Sequence, residues 1–174
     1  MTVGASFVFS GALNERVANH QPWSDYLAPL LDRSPAYSVH LAIFIEPFLR
    51  YVLEGRKTIE SRFSQRPIAP YKAVEPGDVI LLKQSGGPVV AICRAVHVWD
   101  HQLTPATWRA IREQAEALCA TDPLFWEQRK EAKYATLIKI EDVRKLSVPL
   151  PVVKRDRRGW VVLQQRMSPL TLPL

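Results

Sequence analysis

The chain has 174 residues, 47% hydrophobic and 23% charged, which fits one globular domain and excludes a disordered polymer. A chain of this length buries roughly 70% of its unfolded surface, so it needs no metal or disulfide staple to fold. Its 23 basic against 17 acidic residues give a formal charge of +6, which favours an anionic partner, nucleic acid being the commonest.

The longest stretch without Asp, Glu, Lys or Arg is the first 14 residues. A membrane-spanning helix needs about 20 apolar residues, so none is expected. No basic residue precedes Arg16, which argues against a secretory signal. Cys93 and Cys119 lie in no C-x-x-C pattern and cannot build a disulfide framework. A cytoplasmic protein with free thiols is the expectation.

Residues 1–36 read as an irregular arm with a short helix over Trp23–Leu31. Its Trp23, Tyr26 and leucines should pack on the domain formed by residues 37–174. Self-association through this arm is the blander functional alternative. Val39–Ile45, apolar and β-branched, reads as a buried strand. Pro47 then stands where a first helical residue belongs, and Gly55 supplies the stop. Lys57–Phe63 resumes as a strand. Pro76-Gly77-Asp78 is a turn, and Val79–Lys83, Ser85-Gly86-Gly87 and Val89–Trp99 read as a hairpin. Thr104-Pro105 and Asp122-Pro123 each carry a helix start. Tyr134–Ile140, Val148–Val153 and Trp160–Leu163 read as closing strands. Strands and helices do not alternate regularly, so a parallel doubly wound sheet is excluded. The expected class is α+β, a small mixed β-barrel with short helices at its rim.

The basic excess concentrates late in the chain. Lys139 to Arg166 holds eight basic and three acidic residues, densest at Lys154-Arg155-Asp156-Arg157-Arg158-Gly159. That segment reads as a basic hairpin tip able to reach phosphates, or as a solvated turn. Trp160 beside it is the candidate exposed ring for stacking a base. Trp99, Trp108, Trp126 and Tyr134 are further aromatics, with Trp108 and Trp126 spaced as core residues. Lys83, followed by Ser85-Gly86-Gly87, offers another phosphate contact at a close-approach turn. No phosphate-loop, dinucleotide, zinc-protease or serine-hydrolase motif occurs, and neither a metal nor a cofactor is expected. His40, on the first strand, reads as a packed histidine.

The densest chemistry is Gly55-Arg56-Lys57-Thr58-Ile59-Glu60-Ser61-Arg62. On a strand, Lys57, Ile59 and Ser61 would face one way, and Thr58, Glu60 and Arg62 the other. Charges inside an apolar region are costly unless paired or used. Glu60 can orient Lys57 or Arg62 toward an anion, or the three can form an ion-pair network closing a barrel mouth.

Gly55, Lys57, Glu60 and Arg62 match the four fixed positions of G-x-K-x-x-E-x-R. With the preceding strand, the Pro-initiated helix and the following Pro-Gly-Asp turn, the chain resembles the ASCH (activating signal cointegrator homology) domain family. That family belongs to the PUA-like superfamily of RNA-associated β-barrels. The resemblance covers about residues 37–165 and implies a cleft beside the motif that takes nucleic acid, RNA foremost. The candidate nucleic-acid contacts are then Lys57 and Arg62 of the motif, with Lys83, Ser85, Arg157, Arg158 and Trp160 from the charge and turn pattern. Some members act as ribonucleases or on acetylated cytidine, and there the motif lysine is implicated in catalysis. That role would fall on Lys57, with Tyr51 six residues earlier matching a ribonuclease-type tyrosine; Glu60 is a candidate by its place beside Lys57 in the motif, and the sequence establishes no third catalytic group. The amidohydrolase type has a threonine where this chain has Glu60, which weakens that alternative and its nucleoside-like ligand. With Glu60 close, the Lys57 ammonium is expected to stay charged, as a clamp rather than a base.

Overall fold

The computed structural model describes residues 11–31, 35–154 and 157–167. Two helices come first, α1 (11–17) and α2 (Gln21–Leu31). They are followed by β1 (Val39–Phe44), α3 (Phe48–Leu53), β2 (Ile59–Ser64), β3 (Val79–Gln84) and β4 (Val89–Gln102). α4 (Pro105–Arg112), α5 (Pro123–Glu127), β5 (Tyr134–Leu150) and β6 (Trp160–Gln164) complete the order. No described helix is long and apolar enough to cross a membrane.

All six strands form one sheet in the order β2-β5-β4-β3-β1-β6. β1 runs parallel to β3, and every other pair is antiparallel. The result is a curled half-barrel of the mixed α+β class the sequence predicts. Both faces of the central strands are covered, which explains their nearly continuous apolar runs. Val39, Leu41, Val79 and Leu81 point into one cluster with Leu13, Val17, Trp23, Leu27 and Leu30 of the arm. Ala42, Phe44, Ile80 and Leu82 point into the opposite one with Leu49 and Val52 of α3 and with Trp160. These five arm side chains, Trp23 included, are therefore buried within their own chain.

The starts of α4 and α5 follow the sequence, whereas Pro47 precedes α3 as its N-cap instead of being its first residue. Thr104 caps α4 through a reciprocal bond pair with Thr107, and the Asp122 carboxylate accepts from the Leu124 N–H. Gly55 ends the α3 region at φ +72°, a left-handed conformation that favours glycine.

Three expectations need correction. Tyr134–Ile140 and Val148–Val153 are not separate strands, because β5 runs unbroken for 17 residues to Leu150. The stretch around Glu141 to Lys145 is polar because it is largely exposed, not because the chain turns there. Second, the basic segment is no hairpin tip. Both edges of β5 are taken by β2 and β4, so β6 pairs with β1 and the described residues 151–154 and 157–159 belong to a crossover. Arg155 and Asp156 lie outside the described residues. Third, Lys57 precedes the strand, which starts at Ile59. The Arg56 and Lys57 N–H groups both donate to the Tyr51 carbonyl, and the Thr58 and Ile59 N–H groups to Ala117.

The Pro-Gly-Asp turn delivers the buried Asp78 carboxylate to the end of the sheet. It accepts from the Ser38 N–H at 2.7 Å, the Glu75 N–H at 2.8 Å and Arg166 Nη2 at 2.9 Å. His40 Nε2 lies 2.9 Å from it, and Trp160 Nε1 donates to His40 Nδ1 at 3.2 Å. An indole N–H only donates, so His40 carries its proton on Nε2 and donates it to Asp78. His40 is thus the packed histidine that the sequence predicts.

Asp78→Ala would leave these donors and the Arg166 guanidinium without their acceptor. The expected loss is about 3–5 kcal/mol in urea unfolding. A loss below about 1 kcal/mol, as for a surface ion pair, would contradict the role assigned to this network.

Candidate nucleic-acid interface

The motif sits at the wall of a cleft of about 960 Å³. One side is the C-terminal end of β1, Ile43 to Ile45, with Phe48 of α3. Glu60 to Phe63 of β2 form another, and Lys83 with the Ser85-Gly86-Gly87 turn a third. Phe125, Gln128 and Arg129 come from α5 and the turn after it, and the crossover contributes Val152 to Lys154 and Arg157 to Gly159.

Lys57 is only 3% exposed. Its Nζ donates to the Leu118 carbonyl at 2.8 Å and lies 3.5 Å from Glu60 Oε2. Because Lys57 lies outside the strand, its side chain reaches Glu60, which regular strand alternation would have placed on the other face. Burial pushes the Lys57 ammonium below the ordinary lysine value, and Glu60 opposes that shift without overcoming it. The proximity of Glu60, on which the sequence reading rests, is outweighed by burial. Desolvation prevails because the ammonium has lost most of its water.

Glu60, itself 5% exposed, also accepts from Arg62 Nε at 2.7 Å. Arg62 uses its other nitrogens structurally. Nη1 donates to the Gly159 carbonyl and Nη2 to the Ile43 carbonyl, each at 3.0 Å. Its guanidinium lies between the rings of Phe44 and Trp160, 5.2 and 5.3 Å from their centroids. A Cβ at position 159 would come within 3.2 Å of Arg62 Nη1, so Gly159 permits this approach.

Lys83 is 6% exposed and donates to the carbonyls of Gln84 and Gly87. Ser85 lines the cleft while its N–H donates to the Phe44 carbonyl at 2.8 Å. Arg157 and Arg158 are exposed at the rim. Two of the expected residues lie elsewhere. Trp160 is 3% exposed, so the expectation of an open stacking ring is wrong. It packs inside the half-barrel, where its N–H finds His40. Tyr51 lines an adjoining cleft of about 500 Å³ with Pro47, Arg56 and Cys119, behind the shared wall of Phe48 and Phe125. Its ring lies under the Arg56 guanidinium, 4.2 Å from the centroid.

Arg129 was not among the sequence candidates. Its guanidinium lies 3.7 Å from the Phe125 centroid, and Nη1 donates to the Phe125 carbonyl at 2.8 Å. The available signal was the Asp122-Pro123 helix start, which places Arg129 one turn after Phe125 on the same face. Phe63 also lines the cleft, with its ring stacked on Trp108 at 5.4 Å.

The Lys57 shift has a measurable consequence. The unfolded chain holds this proton more tightly than the native one, so stability should rise with pH up to the ordinary value of 10.5. Lys57→Met should abolish that rise, read as the difference between wild type and variant in urea unfolding at neutral pH and near 10.5. A difference that stays flat or reverses would mean that the Glu60 pair outweighs burial.

No protein-family model matches the chain, and no curated protein matches it. Solved structures do. The ASCH protein of Zymomonas mobilis superposes with a TM-score of 0.57 at 11% identity, over 73% of this chain and 88% of that one. A serine-to-alanine variant of that protein gives 0.54 at 10% identity, over 75% and 91% of the two chains. A tyrosine-to-phenylalanine variant gives 0.53 at 11%, over 73% and 91%. At such identity the likeness speaks for architecture: this chain has the ASCH fold.

Proposed function

We propose that this chain binds nucleic acid, RNA foremost, in the cleft beside Lys57, Glu60 and Arg62. One observation carries the reading. Among the described residues, seven basic side chains line the cleft (Lys57, Arg62, Lys83, Arg129, Lys154, Arg157 and Arg158) against the single carboxylate of Glu60. Such a concentration of one sign draws in a polyanion and releases its counterions. Phe48, Phe63 and Phe125 add aromatic surface of the kind that single-stranded bases use. The resemblance at the motif supplies the preference for RNA. A cytoplasmic setting, with Cys93 and Cys119 as free thiols, goes with this reading.

The roles divide by depth. The rim arginines capture and steer the strand. The floor lysines, fixed by backbone carbonyls, fit particular oxygens. Arg62 contributes charge, while its hydrogen bonds go to Glu60, Ile43 and Gly159.

A second reading is favoured by the buried Lys57–Glu60 pair, whose ammonium is depressed by desolvation. It is a metal-independent hydrolase for RNA or a modified nucleoside, with Lys57 stabilising developing negative charge. Tyr51, in the adjoining cleft, would act there only after a rearrangement.

Binding of a labelled single-stranded RNA should weaken steeply with salt. The double variant Arg157→Gln/Arg158→Gln should flatten the log–log slope by roughly 0.7 for each phosphate it no longer neutralises. Fluorescence anisotropy at several salt concentrations reads both effects. Salt-independent binding, or none at micromolar RNA, would refute the proposal. Recovering the RNA on a gel separates the two readings. Intact RNA supports binding alone, whereas cleavage that persists in EDTA and vanishes in Lys57→Met supports the hydrolase.

A further inference from the structure

We infer that the cleft floor recognises a phosphate monoester, the terminal phosphate of a nucleotide or of a single strand entering end-on, held by Lys57 and Lys83. The inference rests on the nucleic-acid reading and specifies which phosphate the site takes.

Lys83 is the starting point. Its ammonium is buried where the β3–β4 register shifts, and its partners are two backbone carbonyls. Among the described residues no carboxylate pairs with it, so its charge is uncompensated in a site largely removed from water. Such a charge is costly unless something neutralises it. Lys57 does not fill that need, and Glu60 on the same floor is already shared between Lys57 and Arg62.

An ammonium carries three N–H donors. Lys83 uses two on Gln84 and Gly87, and Lys57 uses two on Leu118 and Glu60. That leaves each ammonium one N–H beyond these partners, and both residues line the cleft. Two fixed donors beside an uncompensated positive charge suit a compact, multiply charged oxyanion. A phosphate monoester fits, with a charge of about −1.5 to −2 near neutral pH and three acceptor oxygens. A diester within a strand offers one charge, and chain leaves it on both sides.

Accessibility points the same way. The floor lysines are 3% and 6% exposed, beyond the reach of a duplex backbone lying across the mouth. A chain end can reach them. Ile45, Phe48 and Phe125 line the cleft beside that floor, and Val153 stands 87% exposed at the rim. These side chains offer apolar surface to the sugar and base of the end nucleotide.

The test uses the full chain and five probes: one short single-stranded RNA with a 5′-phosphate, with a 3′-phosphate and with hydroxyl ends, and a nucleoside monophosphate against its nucleoside. Calorimetric titration reads the affinities. The expected result is about tenfold or tighter binding of one phosphorylated end over the hydroxyl strand. That preference should vanish in Lys83→Gln. The wild-type comparison stands by itself if the variant fails to fold. Strands that bind equally with and without the end phosphate would overturn the inference and leave the nucleic-acid reading intact. If only the monophosphate binds, the monoester site holds and the strand reading fails. If no probe binds, both fail.

Discussion

The guanidinium of Arg62 holds together two edges that no strand pairing joins. β2 and β6 lie at opposite ends of the sheet order, and among the described residues no ladder connects them. Arg62, on β2, reaches the Ile43 carbonyl of β1 and the Gly159 carbonyl at the entry to β6. The planar fork of an arginine spans such a gap in a way that a lysine cannot. The rings of Phe44 and Trp160 flank it, and the absence of a side chain at Gly159 lets it approach. The same contact ties the crossover to the motif at Gly159, and Lys154, Arg157 and Arg158 of the crossover line the cleft. Glu60 holds the same guanidinium from the other side and leaves its second oxygen near Lys57. One motif therefore shapes the half-barrel and lines the site it creates.

The cleft is graded in polarity. Its floor holds two nearly dehydrated lysines and one carboxylate, each tied to protein partners. Its rim holds exposed arginines and an exposed valine. Rim charges act at long range and are screened by salt. Floor charges act at short range in a low dielectric, where geometry decides the energy. The proposed ligand matches this division, with a negatively charged strand outside and an oxyanion at its inner end. Distances between partners and the depth of burial lead to this division; the net charge of the chain alone would not.

Much of the fold is legible in the sequence because local chemistry dictates it. Thr104-Pro105 and Asp122-Pro123 start helices because a capping oxygen and a proline satisfy the orphaned N–H groups of a first turn. The strands β1, β3 and β4 announce themselves by β-branched apolar runs. The motif residues stand together because they are close in sequence. What is not legible depends on distant parts of the chain. β5 reads as interrupted because its middle is exposed and charged, although Arg94 on β4 pairs with Asp142 there. Trp160 reads as exposed because it neighbours basic residues, yet its face is set by pairing with β1 and by His40. The sign of the Lys57 shift requires knowing its burial, which no spacing reveals. Arg129 belongs to the cleft only because α5 packs beside β2.

The most direct test is where a single-stranded RNA touches the protein. Backbone amide chemical shifts, followed during titration with a short end-phosphorylated strand, give that map residue by residue. The perturbed amides should fall at Ile43 to Ile45, Lys57 to Phe63, Lys83 to Gly87, Phe125 to Arg129 and, on the crossover, Val152 to Lys154 and Arg157 to Gly159. Shifts confined to the opposite face, around His20, Trp23, Arg94 and Arg144 where a separate cavity of about 470 Å³ lies, would contradict a nucleic-acid site at the motif, as would no shifts at all.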